Sequence, residues 1–148
     1  MKYIFILTLF LVFATHAFAY TLPYPSYMPG HKLYKISRFL DQAKAWWYWG
    51  VKSKIKYHAS LADKYLVESK TLFEYQQYLL AVDALRRSNE QITAISSRSG
   101  EQMKAHTDVL ERLKQMLPEE FLWQPEKETP TRLPLHILLD EALFIRNE

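Results

Sequence analysis

The side chains best suited to acid–base or metal chemistry in this 148-residue chain are its five histidines, His16, His31, His58, His106 and His136. No two stand three or four residues apart, the spacing that puts two ligands on one helix face, and no H-E-x-x-H occurs. No metal site is expected. The chain has no cysteine, which removes thiol nucleophiles, disulfides, thiolate ligands and acylation of an N-terminal cysteine in one step. Its three glycines, Gly30, Gly50 and Gly100, are too scattered for a phosphate-cradling loop, and no cofactor is expected. Carboxylates lie beside lysines, as in Asp63, Lys64 and Glu68 or Glu111 and Lys114, the pattern of a solvated helix face. His58 and His106 fall near apolar stripes and read as half-buried rings with a hydrogen bond each. No G-x-S-x-G is present, and no catalytic residue is assigned.

The unusual chemistry is aromatic. Trp46, Trp47, Tyr48 and Trp49 are consecutive, and at 100° per residue they cannot all face one way. Trp47 continues an apolar stripe and reads as core. Trp46, Tyr48 and Trp49 either pack under another helix or the N-terminal arm, or form a patch for a protein or membrane surface. Tyr24 and Tyr27, in a proline-rich stretch, are the other candidate anchors.

These residues are carried on a chain that proline divides clearly. Met1 and Lys2 followed by the apolar run Tyr3 to Ala14, then Ala17-Phe18-Ala19, read as a signal peptide over residues 1–19, cleaved after Ala19. An uncleaved anchor is the alternative, but the run falls short of the roughly 20 residues that span a bilayer. Without Lys2 the 19 basic residues become 18 against 16 acidic ones, so the remaining chain carries only +2. That is too little for nucleic acid as a partner. Three prolines fall in Pro23 to Pro29 and four in Pro118 to Pro134, with none in the 88 residues between Gly30 and Leu117. Residues 20–31 therefore read as an extended arm, 32–117 as a helical domain, and 118–148 as a proline-rich loop with a C-terminal helix.

Apolar residues at steps of three and four predict five helices. The first, Lys32 to Trp49, has the stripe Leu33, Ile36, Leu40, Ala43 and Trp47 and ends at Gly50. The second, Lys52 to Leu72, uses Ile55, Ala59, Ala62 and Leu66; the third, Gln76 to Ser96, uses Leu79, Val82, Leu85, Ile92 and Ile95. A turn near Phe73 to Tyr75 makes these two an antiparallel hairpin. Ser99 and Gln102 signal a capping box for the fourth, Gly100 to Leu117, with Met103, His106, Leu110, Leu113 and Leu117 inward. Leu135 to Ile145 is the fifth. No strand is expected, and the fold class is all-α, a small antiparallel bundle of about five helices preceded by an extended Pro/Tyr arm.

Several segments carry a resemblance. Leu22-Pro-Tyr-Pro, Pro29-Gly-His-Lys-Leu-Tyr-Lys35, Tyr57-His-Ala-Ser-Leu-Ala-Asp-Lys-Tyr-Leu66 and Ala81-Val-Asp-Ala-Leu85 together are similar to a bacterial extracytoplasmic family, domain of unknown function 5667. The resemblance runs from about Leu22 to Ile95 and implies an all-α secreted or envelope-tethered module. It supplies no catalytic residues. Two departures from the family pattern stand out: the hairpin turn lacks a glycine often found there, and Trp46 to Trp49 replaces a more aliphatic segment.

Three functions follow from this reading. The first is a non-catalytic interaction module of the bacterial cell envelope, with an envelope protein or the membrane surface as partner. The second is a chaperone-like binder of envelope proteins, which requires an exposed apolar concavity. The third is a hydrolase with a dispersed site, which requires His58 to meet Asp63 or Asp83 in a deep pocket.

Overall fold

The computed structural model describes residues 20–148 except 26, 30 and 126–128, together with the backbone alone of Ala45. Residues 1–19, read above as a signal peptide, lie outside the described residues. Five helices and one two-stranded hairpin are present among them: α1 (Tyr34–Ala45), α2 (Val51–Glu74), α3 (Tyr78–Thr93), α4 (Gly100–Met116), β1 (Phe121–Trp123), β2 (Thr131–Leu133) and α5 (Leu135–Asn147). No described helix is long and apolar enough to cross a membrane.

Helices α2 and α3 form the expected antiparallel hairpin and pack more closely than any other pair. Their seam is lined by small residues. Ala62, Ser69, Ala81, Ala84 and Ser88 are all buried, and the two serines fold back on the facing helix: Ser69 Oγ donates to the Ala81 carbonyl and Ser88 Oγ to the Ala62 carbonyl, each at 2.8 Å. The turn lies at Tyr75 to Gln77, two residues beyond the predicted centre. Gln77 N–H bonds to Leu72 O at 2.9 Å and Gln76 N–H to Phe73 O at 3.0 Å, with Gln76 at φ +59°. This is the crossed pair of bonds that usually closes a helix on glycine, made here by glutamine in the left-handed region.

Helices α4 and α5 close the bundle. Leu66, Leu72, Phe73, Val82, Leu85, Leu110, Leu113, Leu135, Leu139 and Ala142 form one core, and Ala62, Ile92, Ile95 and Met103 a smaller one toward the other end of the hairpin. Of the fourteen stripe residues expected inward on the second, third and fourth helices, ten are buried, Ile55, Ala59 and Leu117 are half-buried, and Leu79, in the first turn of α3, is exposed.

Four expectations are corrected. Strands do occur: β1 and β2 pair antiparallel, Phe121 opposite Leu133 and Trp123 opposite Thr131, and three-residue strands are too short to show alternation in sequence. Phe121 packs against Tyr78 with ring centroids 4.3 Å apart, which fastens this hairpin to α3. Gly50 does not end the first helix; that helix stops at Ala45, and Gly50, at φ +95°, is the N-cap residue just before α2. Ser99 makes no side-chain cap, and Gln102, the other half of the expected capping box, turns inward. Most consequential, the predicted stripe of the first helix faces outward. Leu33, Ile36, Leu40 and Trp47 are exposed, Trp47 at 87%.

The reason is visible on the other side of α1. Tyr34, Ser37 and Asp41 recur at helical spacing and point to the bundle, where each finds a polar partner on α2. Tyr34 donates to Glu68 Oε1 at 2.8 Å, and Lys64 donates to Ser37 Oγ at 3.1 Å and pairs with Asp41. Tyr57 donates to the Asp41 carbonyl at 2.6 Å. Helix α1 is an amphipathic helix attached by its polar face.

Candidate functional site

Two groups of residues stand out, one inside the bundle and one on α1. The internal group begins at Asp63, which lies on the inner stripe of α2 between Ala59 and Leu66. Its Oδ1 accepts from Gln102 Nε2 at 2.6 Å and from His106 Nε2 at 2.7 Å, and its Oδ2 accepts from the Tyr20 hydroxyl at 2.5 Å. Arg146 Nε donates to His106 Nδ1 at 3.1 Å. Since a guanidinium can only donate, Nδ1 is the bare nitrogen and the proton is on Nε2, facing Asp63. Arg146 continues to Ser88 Oγ, Asn89 Oδ1 and the Ala142 carbonyl at 2.9, 2.7 and 2.8 Å.

The energetics of this chain follow from burial. The His106 ring is wholly buried, and loss of solvent holds it below the usual imidazole range, with the Arg146 charge acting in the same direction. The ring is neutral in the fold. Burial also lowers Arg146 to about 10, with Arg98 adding to the effect, which leaves it charged at neutral pH. Tyr20 is raised well above the ordinary phenol range, first by burial and then by Asp63, so it remains a donor. Both nitrogens of His106 are occupied, and the pair serves to satisfy two buried ionic groups through one imidazole. The expectation that Asp63 and Glu68 form a solvated face is corrected: they are 6% and 3% exposed.

Nor does His58 meet Asp63 or Asp83. Its Nδ1 bonds to Gln91 Oε1 at 2.8 Å, on the wall of a polar groove of about 330 Å³ that also takes in Arg38, Asp41, Tyr57 and Arg87. A neighbouring groove of about 340 Å³ lies between the arm and α2, lined by Tyr24, Lys44, Tyr48 and Lys64. A third groove, about 400 Å³, lies between α3 and α5, with Val82, Leu85, Leu138 and Ile145 under a rim of Arg86, Asn89, Glu90 and Glu141. On α2, Glu68 bonds through Oε1 to Tyr34, its Oε2 has no partner among the described residues, and burial raises its carboxyl above the usual range. Burial and the bond to Glu68 push Tyr34 up to about 12.

The external group is the outward face of α1 and the corner that follows. Ile36, Phe39 and Leu40 are more than half exposed, and Trp46, Trp47 and Trp49 are 84–87% exposed. Trp49 Nε1 donates to the Trp46 carbonyl at 2.8 Å, which ties the Trp49 ring back to the backbone at the end of α1. Of the candidate anchors, Trp46 and Trp49 stand in solvent. Tyr48 does not: it is half-buried against Tyr57, ring centroids 5.1 Å apart. Tyr24 is 92% exposed, and Tyr27 stacks on His31 at 5.0 Å. Trp47, assigned to the core by its spacing, joins the exposed set.

Charge marks the same region. Residues 32–56 hold Lys32, Lys35, Arg38, Lys44, Lys52, Lys54 and Lys56 against Asp41 alone, a balance of +6. The whole chain is +3, so everything else sums to −3. Helix α2 also begins with no acidic residue in its first turn, although the positive end of the helix dipole favours one there. This asymmetry was present in the sequence and was the signal available for finding the face.

Residues 26–120 match the family model described as a domain of unknown function, DUF5667, and the chain belongs to that family. No curated protein and no solved structure matches it.

Proposed function

We propose that this member of the family is a non-catalytic interaction module that works outside the cytoplasm, in the bacterial cell envelope, with the outward face of α1 and the Trp46 to Trp49 corner as its contact surface. One observation supports this reading above the rest: α1 turns its polar face to the bundle and its apolar face to solvent. An isolated exposed leucine means little, but three exposed apolar residues on one helix face followed directly by three exposed indoles concentrate apolar surface in one region, as interaction sites do.

The test separates contact from stability. Trp47→Ala and Trp49→Ala should each change stability by no more than about 0.5 kcal/mol, as expected of exposed side chains. Each should weaken retention of the purified protein on its own envelope fraction by roughly 2 kcal/mol, the scale of an interface anchor. Lower thermal midpoints with unchanged retention would show instead that the indoles only cover the fold.

A further inference from the structure

Resting on the docking face just described, we infer that its occupant is an anionic lipid bilayer, with α1 lying in the plane of the surface. Three features point to lipid rather than to a protein. First, the apolar groups protrude. None of Trp46, Trp47 and Trp49 lines the grooves of about 330 to 400 Å³ described above, so the surface offers ridges that a fluid interface can close around. Second, the positive charge around it is lysine-rich: six of the seven basic residues in 32–56 are lysines, and the one arginine, Arg38, is half-buried. Lysine is a flexible point charge with an apolar stem that runs along a bilayer surface, whereas arginine is the residue suited to bidentate recognition of carboxylates. Third, Trp49 already spends its indole N–H on the Trp46 carbonyl, and so enters the boundary between headgroups and acyl chains without an unpaired donor. Helices that lie on membranes are basic and amphipathic with aromatic residues at the apolar side, and here the indoles follow directly on the C-terminal end of α1. At 12 residues, α1 is about 18 Å long and too short to span one.

The experiment uses the protein with whatever N-terminus export leaves it, and vesicles of phosphatidylcholine with or without phosphatidylglycerol. Vesicles containing phosphatidylglycerol should shift tryptophan emission to the blue and co-sediment the protein; pure phosphatidylcholine should do so far less, and added salt should reverse the binding. Replacing Lys52, Lys54 and Lys56 by glutamine should weaken binding about five-fold per lysine, and Trp47→Ala should weaken it further, with helical content unchanged in both. Apolar anchoring by residues 1–19 would be indifferent to lipid charge, salt and these substitutions, and that result overturns the assignment. Absence of vesicle binding overturns it as well. In that case, retention on the envelope fraction that still depends on Trp47 and is lost on protease treatment leaves the docking face standing with a protein occupant. Concentration-dependent dimers abolished by Trp47→Ala would make a second copy the occupant and likewise overturn the lipid assignment.

Discussion

Asp63 and Arg146 are joined through the two nitrogens of one imidazole, His106 donating to the carboxylate and accepting from the guanidinium. The arrangement fixes the tautomer and requires a neutral ring, since a proton on Nδ1 would meet the Arg146 donor head on.

Stability should therefore fall with acid through His106. Its folded pKa lies below the ordinary 6.5, so the unfolded chain binds the proton first. The stabilisation is complete above about pH 6.5 and is lost as pH drops toward the folded value, at up to about 1.4 kcal/mol per pH unit. Glu68, raised above 4.5 by burial, has the opposite sign and gains stability as pH falls toward 4.5. The two are separated by His106→Gln: denaturation curves between pH 7 and 5 should show the variant less stable throughout but with the shallower pH slope. Parallel slopes would mean the ring titrates freely in the fold.

Tyr20 closes the same network from the arm. Tyr20→Phe keeps the ring and removes the donor to Asp63 Oδ2, which should cost about 1 to 2 kcal/mol for a partly buried bond to a charged acceptor. The segment Leu22 to Pro29 should then be cleaved faster in limited proteolysis. Unchanged cleavage would show that the arm is held elsewhere.

A core leucine and a surface tryptophan should behave in opposite ways. Leu85, 2% exposed within the main core, should lose roughly 2 to 5 kcal/mol on substitution by Ala, measured by urea unfolding, while Trp47→Ala, which removes a far larger side chain, should change the same curve little. Equal losses would return Trp47 to the core.

Helices α2 to α5 were legible because each has one apolar stripe and that stripe is inward, as Val82 and Leu85 or Leu110 and Leu113 show, with Leu79 at the start of α3 as the exposed exception. Helix α1 has an equally clear stripe. Periodicity gives the phase of such a stripe but not what it faces, and at α1 the polar positions Tyr34 and Asp41 meet complementary groups on α2. Asp63 could have been recognised as internal, since it sits on the same stripe as Ala59 and Leu66. Its partners could not, because Gln102 and His106 are some 40 residues away. Of the aromatic candidates, Tyr24, Trp46 and Trp49 stand in solvent, whereas Tyr48, between Trp46 and Trp49 in the sequence, is half-buried against Tyr57.

The manner in which α1 is attached bears on how the molecule moves. Its links to α2 are a phenol, a lysine and a backbone carbonyl, so releasing it exposes little apolar surface and leaves the cores of α2 to α5 whole. Local opening of that kind has its own free energy, smaller than that of global unfolding. Backbone amides of α1 should accordingly exchange with deuterium on a faster clock than those of the α2–α3 hairpin, and anything that occupies the outer face of α1 should slow that clock alone.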